Sequence, residues 1–566
     1  MGRIQMKRAI RLIIAAAGLS IAGCAAIAQT KDIPQAAEGD LQEPMLYEFL
    51  LGEIALQRGD LPLAAQTFLD LARRTNDPRV ARRAVEIANQ ARLPELALDA
   101  ARTWQELDPA SPQALQVLAA LLVANKRAEE ALPHLEKLLA TEGVSPENGF
   151  MQLNRLLAAN PDKAANLRVV RTLASKYPKL PQAHFAVAQA TAAAGDDDAA
   201  VAAIHRASAL RPDWELAALL EAQILQRRSP AAAAKVLGDF VAKNPNSREA
   251  RLNYARLLIL DKRLPEARKQ FEAVLAASPG NTEVIYAVGL LAFQLKDYEV
   301  AEQNMKRLLA LNYRDSDGVR YVLGQIAEEQ KQWPQAIKWY ESIGEGEHQL
   351  AARMRTANAM AKQGKLDEAR KYLKRVAADN PGEEAQIIVA EAQLLREANR
   401  NQDAFKLLAD ALKKDPEQPE LLYDYALTAE KLDRFDVLES NLRKLIEVRP
   451  DHAHAYNALG YSFAERNTRL PEARKLIERA LELAPDDYFI MDSLGWVLYR
   501  EGDLKGAAEQ LRRAYDGRPD AEIGAHLGEV LWVMGQRDEA NRVWQESLKA
   551  SPDNETLQKT IKRLKK

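Results

Sequence analysis

Residues 486–519 read DDYFIMDSLGWVLYREGDLKGAAEQLRRAYDGRP, and this phrase decides the fold. Its apolar residues recur at helical spacing, as in Leu494 and Leu498 in the first half and Leu511 and Ala514 in the second. Gly502-Asp503 supplies a turn between the halves. Pro519 ends the second helix, because proline cannot continue the hydrogen-bond ladder. Leu494-Gly495 lies in the first half, and Ala507 in the second, twelve residues before Pro519.

The phrase recurs along the chain. From Pro178 the marks fall at Pro212, Pro245, Pro279, Pro381, Pro416, Pro450, Pro485, Pro519 and Pro552, with Tyr313 and His348 in the two places without proline. The ten steps from Pro212 to Pro552 cover 340 residues, a mean of 34. Upstream, Pro109, Asn76 and Gly143 complete the register. Such a period is the signature of a helix–turn–helix array. Twelve residues before the marks stand Ala64, Ala97, Ala131, Ala200, Ala233, Ala267, Ala301, Ala336, Ala369, Ala404, Ala473, Ala507 and Ala540. A glycine recurs further back, in FLLGEIA from Phe49, YAVGLLA from Tyr286, YVLGQIA from Tyr321, NALGYSF from Asn457, DSLGWVL from Asp492 and AHLGEVL from Ala525. Glycine costs a helix about 1 kcal/mol relative to alanine. Its recurrence therefore predicts a close approach of two helices, with Gly on the first facing Ala on the second.

Leu-Gly on a first helix, Ala on a second and Pro just beyond resemble the tetratricopeptide repeat (TPR). The resemblance runs from near Leu41 to Pro552 as fifteen repeats, well formed in the last three copies and degenerate in several others. It implies an all-α chain, an α-solenoid in which neighbouring hairpins bury each other's apolar faces. No alternating Val, Ile or Thr run argues for strands, and 47% hydrophobic with 28% charged residues suits a folded, extended chain. The organisation expected is an N-terminal arm over 42–143, a degenerate repeat over 144–178, a main array over 179–552 and a capping helix over 553–566. In the degenerate repeat Asn154 and Asn166 replace the small residues, which reads either as a bend or as a plain loop insertion. Leu557, Ile561 and Leu564 form the apolar stripe of the cap.

Residues 1–23 stand outside the array. Arg3, Lys7, Arg8 and Arg11 precede an apolar run from Leu12 to Ala22, shorter than the roughly 20 residues that span a bilayer. The pattern fits a secretory signal. It ends in Ile21-Ala22-Gly23-Cys24, similar to a bacterial lipobox, and Cys24 is the only cysteine. The expectation is lipidation at Cys24, a flexible tether over 24–41, and attachment to the periplasmic face of the outer membrane. Resemblance to lipoprotein sorting supports the outer membrane, because Ala25 rather than Asp follows the cysteine. Cleavage after Ala26-Ile27-Ala28 would instead release a soluble periplasmic protein. Without residues 1–23 the chain carries 74 basic and 80 acidic residues, a net of −6 that argues against nucleic acid. Arg73, Arg74, Arg79, Arg82 and Arg83 form a local exception, facing either lipid head groups or solvent.

The repeats leave no room for a catalytic domain, and no phosphate loop, His-Glu-x-x-His or Gly-x-Ser-x-Gly occurs. No enzyme activity, cofactor or metal is expected. His452 and His454 are two apart and converge poorly on a metal, and Asp196-Asp197-Asp198 reads as a solvated turn. What remains is recognition. Positions 2, 5, 9 and 12 of each first helix share one stripe; in TPR proteins this stripe lines the concave face, where peptides bind. Carried over to this chain, the resemblance places His454, Asn457, Tyr461, Phe489, Asp492, Trp496, Tyr499, Glu529 and Trp532 there as ligand-binding candidates, with Tyr286, Phe293, Tyr321 and Gln325 earlier. Aromatic rings beside polar side chains suit a protein or peptide partner in the cell envelope, possession of the same rings suits polysaccharide or peptidoglycan, and packing of Trp496 and Trp532 beneath a neighbouring repeat is the remaining option. The function expected is a membrane-anchored periplasmic scaffold that organises envelope proteins in an export or assembly complex.

Overall fold

The computed structural model describes residues 43–565 apart from Glu142 and Val144. The signal, Cys24 and the whole tether over 24–41 lie outside the described residues. Among the described residues every regular element is helical: thirty-one α-helices and one 3₁₀ turn, Pro381–Glu383. Consecutive helices pair as fifteen hairpins followed by a last helix, Glu555–Leu564. The chain divides into two compact units, one ending at Leu311 and the other beginning at Asn312. The first contains eight hairpins, from Glu43–Gln57 with Leu61–Thr75 to Thr282–Gln294 with Tyr298–Ala310. The second contains seven, from Ser316–Glu329 with Trp333–Glu341 to Ala521–Val533 with Arg537–Ala550.

The recurring residues act through the backbone. A proline restricts the residue before it to extended conformations. Asn244, Ser278, Asp415, Arg449 and Ala484 accordingly leave the helix at φ of −126°, −140°, −130°, −135° and −139°. Most of the turns inside the hairpins place a residue in the left-handed region. Gly502 takes it at φ 93°, but Arg92, Lys262, Lys296, Lys331, Asn399 and Asp433 take it at φ 56–61° without glycine's freedom.

All thirteen alanines at this register position lie in the core, none more than 1% exposed. Leu438 fills the same position between Ala404 and Ala473. The Gly–Ala facing expected from the sequence is corrected in detail. A Cβ on Gly52, Gly289, Gly324, Gly495 or Gly528 would lie 2.0–2.9 Å from Phe68, Met305, Tyr340, Leu511 or Trp544, each one helical turn beyond the alanine. At Gly460 the nearest atoms belong to Ile477, with the Ala473 carbonyl at 2.8 Å. The glycine thus makes room for the large side chain after the alanine, while the alanine lets the backbones approach.

The degenerate repeat folds as a hairpin too, Pro146–Leu157 with Lys163–Ser175. Amides replace small-residue packing there. Asn166 Nδ2 donates to the Leu157 and Asn160 carbonyls at 2.9 and 3.2 Å, and Asn160 Nδ2 donates to Asn166 Oδ1 at 2.9 Å. Both asparagines are buried. Asn154 reaches the next hairpin, donating to the Ala186 carbonyl at 2.9 Å. In the second unit the last helix seals the seam: Leu557 is buried, Ile561 and Leu564 pack against the core, and Asn554 caps the Leu557 N–H at 2.9 Å.

Candidate partner-binding surface

Three first helices of the second unit carry the stripe: Ala453–Glu465, Tyr488–Glu501 and Ala521–Val533. Their starts are set by side-chain caps. His452 Nδ1 accepts from the Ala455 N–H at 3.0 Å, and Asp487 accepts from the N–H groups of Phe489 and Ile490 at 2.9 and 3.3 Å. Asp520 accepts from the Glu522 N–H at 2.9 Å. These caps fix the helical phase, and hence which side chains share a face.

The stripe comes together, but it does not stay open along its length. Asp492, Trp496 and Glu529 are only 6%, 5% and 3% exposed. Both Asp492 carboxylate oxygens lie 3.0 Å from His526 Nδ1. The His526 ring stacks on Trp496 at 4.2 Å between centroids, and Tyr461 stands 6.3 Å from it. Trp496 Nε1 donates to Glu465 Oε2 at 2.8 Å, and Tyr499 donates its O–H to Glu529 Oε1 at 3.2 Å. Arg563 of the last helix pairs with the other Glu529 oxygen. Trp532 is partly buried, tilted against Trp544 at 5.5 Å and covered by the Arg537 guanidinium. The tryptophans therefore pack between repeats. The exposed stripe residues are His454 and Phe489, the latter 40% exposed with the Arg518 guanidinium 4.5 Å from its ring centroid. Asn457, Tyr461 and Tyr499 are intermediate.

The electrostatics follow from this burial. Desolvation opposes charging of His526, but Asp492, with Glu465 and Glu529 behind it, outweighs that and raises the histidine above its ordinary value. Tyr461 is pushed up by desolvation and by the carboxylates of Glu465, Asp492, Glu522 and Glu430. Glu430 itself is raised, first by burial and then by Glu465. This end of the unit is a packed polar and aromatic cluster with negative potential around Tyr461.

The earlier aromatic residues lie in different units. Phe293 packs on Tyr298 at 6.1 Å in the first, where Tyr286 also lies on Thr282–Gln294. In the second, Tyr321 is buried, stacked on His348 at 5.5 Å, and accepts from Arg355 Nε at 3.0 Å, while Gln325 is intermediate. The arginine cluster of the first unit is exposed and paired with acids. Arg73 meets Asp99, Arg74 meets Glu48, Arg79 meets Asp77, and Arg82 and Arg83 both meet Glu86. Of the three aspartates, Asp196 caps Ala199, Asp197 pairs with Arg227 and Asp198 with Arg228. His452 and His454 stand 6.5 Å apart between ring centroids, and among the described residues no three potential ligands gather for a metal. No helix among the described residues is long and apolar enough to cross a membrane.

The stripe rule missed His526, Glu465 and Arg563. His526 sits two residues before Gly528, off the positions counted as stripe. A histidine in the AHLGEVL phrase, one repeat after Asp492 and three residues before Glu529, was the available signal.

The chain is 32% identical over 539 residues to the TPR repeat-containing protein PA4667 of Pseudomonas aeruginosa, covering 95% of this chain and 90% of that one. It belongs to the tetratricopeptide repeat family. The TPR family model matches residues 225–282, 439–488 and 464–522, and so includes two of the three stripe helices. A second model, the N-terminal domain of the ESX-1 secretion system protein EccA1, matches residues 267–437. Tetratricopeptide repeat protein 21A of Mus musculus is 26% identical over 348 residues, 59% of this TPR chain and 25% of its own length. Among solved structures, yeast Tom70 is 14% identical with a TM-score of 0.34, covering 92% of this chain and 96% of that one.

Proposed function

We propose that this TPR protein is a scaffold of the bacterial envelope, held to a membrane by a lipidated Cys24 and binding protein partners along the rim of the C-terminal stripe. The observation that carries the binding reading is the division of the stripe into a locked floor and an exposed rim. Asp492, Trp496 and Glu529 use their polar atoms in bonds to neighbouring helices, so they hold a rigid surface. Phe489 and His454 stand at its edge, an aromatic and a polar side chain of the kind that anchors a protein interface. The anchor reading is supported by the position of Cys24, the only cysteine, directly after a basic and apolar leader. Ala25 after it supports sorting to the outer membrane, and the number of hairpins suits a scaffold within an export or assembly complex. The reading assigns no reaction to the chain.

Crosslinked envelopes provide the test. Capture with the native chain should enrich a defined set of envelope proteins, and Phe489→Ala with His454→Ala should lose them while keeping the native helical melt. Unchanged capture by that double variant refutes the rim. Mass spectrometry of the N-terminal peptide tests the anchor: a diacylated or triacylated Cys24 is expected, and an unmodified terminus at Gln29 rules it out. Glycan binding would need an open ring face, and His526 already covers one face of Trp496. A saturable Trp fluorescence response to peptidoglycan fragments, lost in Trp496→Phe, would favour that reading over protein scaffolding.

A further inference from the structure

The first unit contains one departure from its own rhythm. Its second helices have 13 to 15 residues, except Leu132–Ala140, which has nine. Residues 128–131 form turns where the other second helices are already α-helical. Beside this short helix, between it and the first helices Pro112–Ala124 and Pro146–Leu157, lies a cleft of about 380 Å³. Its walls are leucines, Leu138, Leu139 and Leu156 among them, and its polar lining consists of Gln116, Gln152 and Arg155.

Among the described residues, the guanidinium at this cleft has no carboxylate partner. Around it, Arg102 and Arg127 pair with Glu130, Arg168 with Glu129 and Lys176 with Glu136. The acids of the neighbouring turn and helix are thus taken, and Arg155 has no carboxylate within 4 Å among the described residues. An apolar cavity edged by that guanidinium and two carboxamides calls for an apolar group that ends in a carboxylate. Guanidinium and carboxylate form a two-point, charge-assisted contact. A side-chain amide can both donate to and accept from a main-chain peptide group, which a free fatty acid lacks. The volume lies at the low end of small-ligand sites: room for one or two apolar residues, too little for a helix.

We propose that this cleft binds the free C-terminus of a protein whose last residue is apolar. The carboxylate meets Arg155, the last side chain enters the leucine walls, and Gln116 and Gln152 hold the preceding peptide group. The site shares no residue with the C-terminal stripe and is independent of the membrane anchor.

Fluorescence anisotropy with the full chain tests this, using a labelled octapeptide ending in Ala-Ala-Leu as the free acid and as its C-terminal amide. The acid should saturate, with the amide bound about tenfold or more weakly, as expected for loss of a hydrogen bond to a charged group. Arg155→Gln should erase the difference between acid and amide, and Leu138→Trp, which fills the cleft, should weaken both. Arg155 is exposed, so its variant reports on binding even if the leucine variant misfolds. Equal binding of acid and amide overturns the proposal, as does an acid that fails to saturate or is unaffected by Arg155→Gln. Decanoate binding more tightly than the acid peptide also overturns it, by making the cleft an acyl site.

Discussion

Substitution of Asp492 by alanine should release the last hairpins of the second unit and leave the first unit unchanged. The His526–Asp492 pair joins helix Tyr488–Glu501 to helix Ala521–Val533, with both residues buried. Removing one partner of a buried pair typically costs about 3–5 kcal/mol, because the other charge is left without compensation. In a repeat array such a loss is local, carried by neighbouring hairpins rather than spread over the chain. Amide hydrogen exchange is therefore the assay. A loss of about 3 kcal/mol corresponds to roughly hundredfold faster exchange in the two helices. The effect should also depend on pH. His526 is raised in the folded chain, so its contribution is fully present below the unfolded value near 6.5 and fades as pH rises through the folded value. The carboxylates of Asp492, Glu465 and Glu529 and the Tyr461 ring face this group, with Tyr499 and Arg563 on Glu529 and Arg500 over the Trp496 ring beyond them. After correction for intrinsic exchange rates, the native chain should lose protection in these helices as pH rises beyond the unfolded histidine value near 6.5, and Asp492→Ala should lose that pH dependence. Equal loss of protection in both units, or an unchanged pH profile in the variant, would refute the reasoning.

Other outcomes follow from single contacts. Gly528→Ala places a Cβ 2.0 Å from Trp544 Nε1 and should destabilise by about 1–3 kcal/mol in denaturant unfolding, whereas Gly280→Ala, with open space around it, should be near neutral. Lys331→Gly relieves a left-handed turn at φ 58° and should stabilise its hairpin by about 1 kcal/mol, read as slower local exchange. Glu439 is lowered to about 2, first by its hydrogen bonds to Arg469 and then, against the cost of desolvation, by Arg443. Its contribution is present above the unfolded value near 4.5 and is lost as pH falls towards 2. Glu439→Gln should flatten the acid limb of the second unit's stability over that window. Arg563→Ala should free the last helix by unpairing buried Glu529, seen as rapid exchange over Glu555–Leu564.

Much of the architecture is legible in the sequence because each recurring residue has a local backbone job. Pro485 and Pro519 force an extended residue after a helix, and Gly502 accepts a left-handed turn whatever surrounds it. Lys262 and Lys331 hold the same turn without the composition that marks it, so those boundaries come from the period instead. The short helix Leu132–Ala140 was not legible. Pro133 stands in its first turn and cannot sit inside a helix begun earlier, so the late start has a local cause that the repeat pattern alone does not show.

The site divides in the same way. Helical phase alone places Tyr461, Trp496 and Glu529 on one stripe, because spacing within a helix and the repeat between helices are both properties of the chain. Whether that stripe is open depends on how closely successive first helices approach, which is set by contacts such as Trp496 with His526 and Glu529 with Arg563. Those pairs join residues 30 and 34 positions apart. Their geometry exists only once the hairpins stack. The sequence by itself determined the repeat, its hairpins and the candidate face. The tertiary structure decided that the middle of the face is buried, that its rim is exposed, and that the first unit holds a leucine-lined cleft whose arginine meets no carboxylate among the described residues.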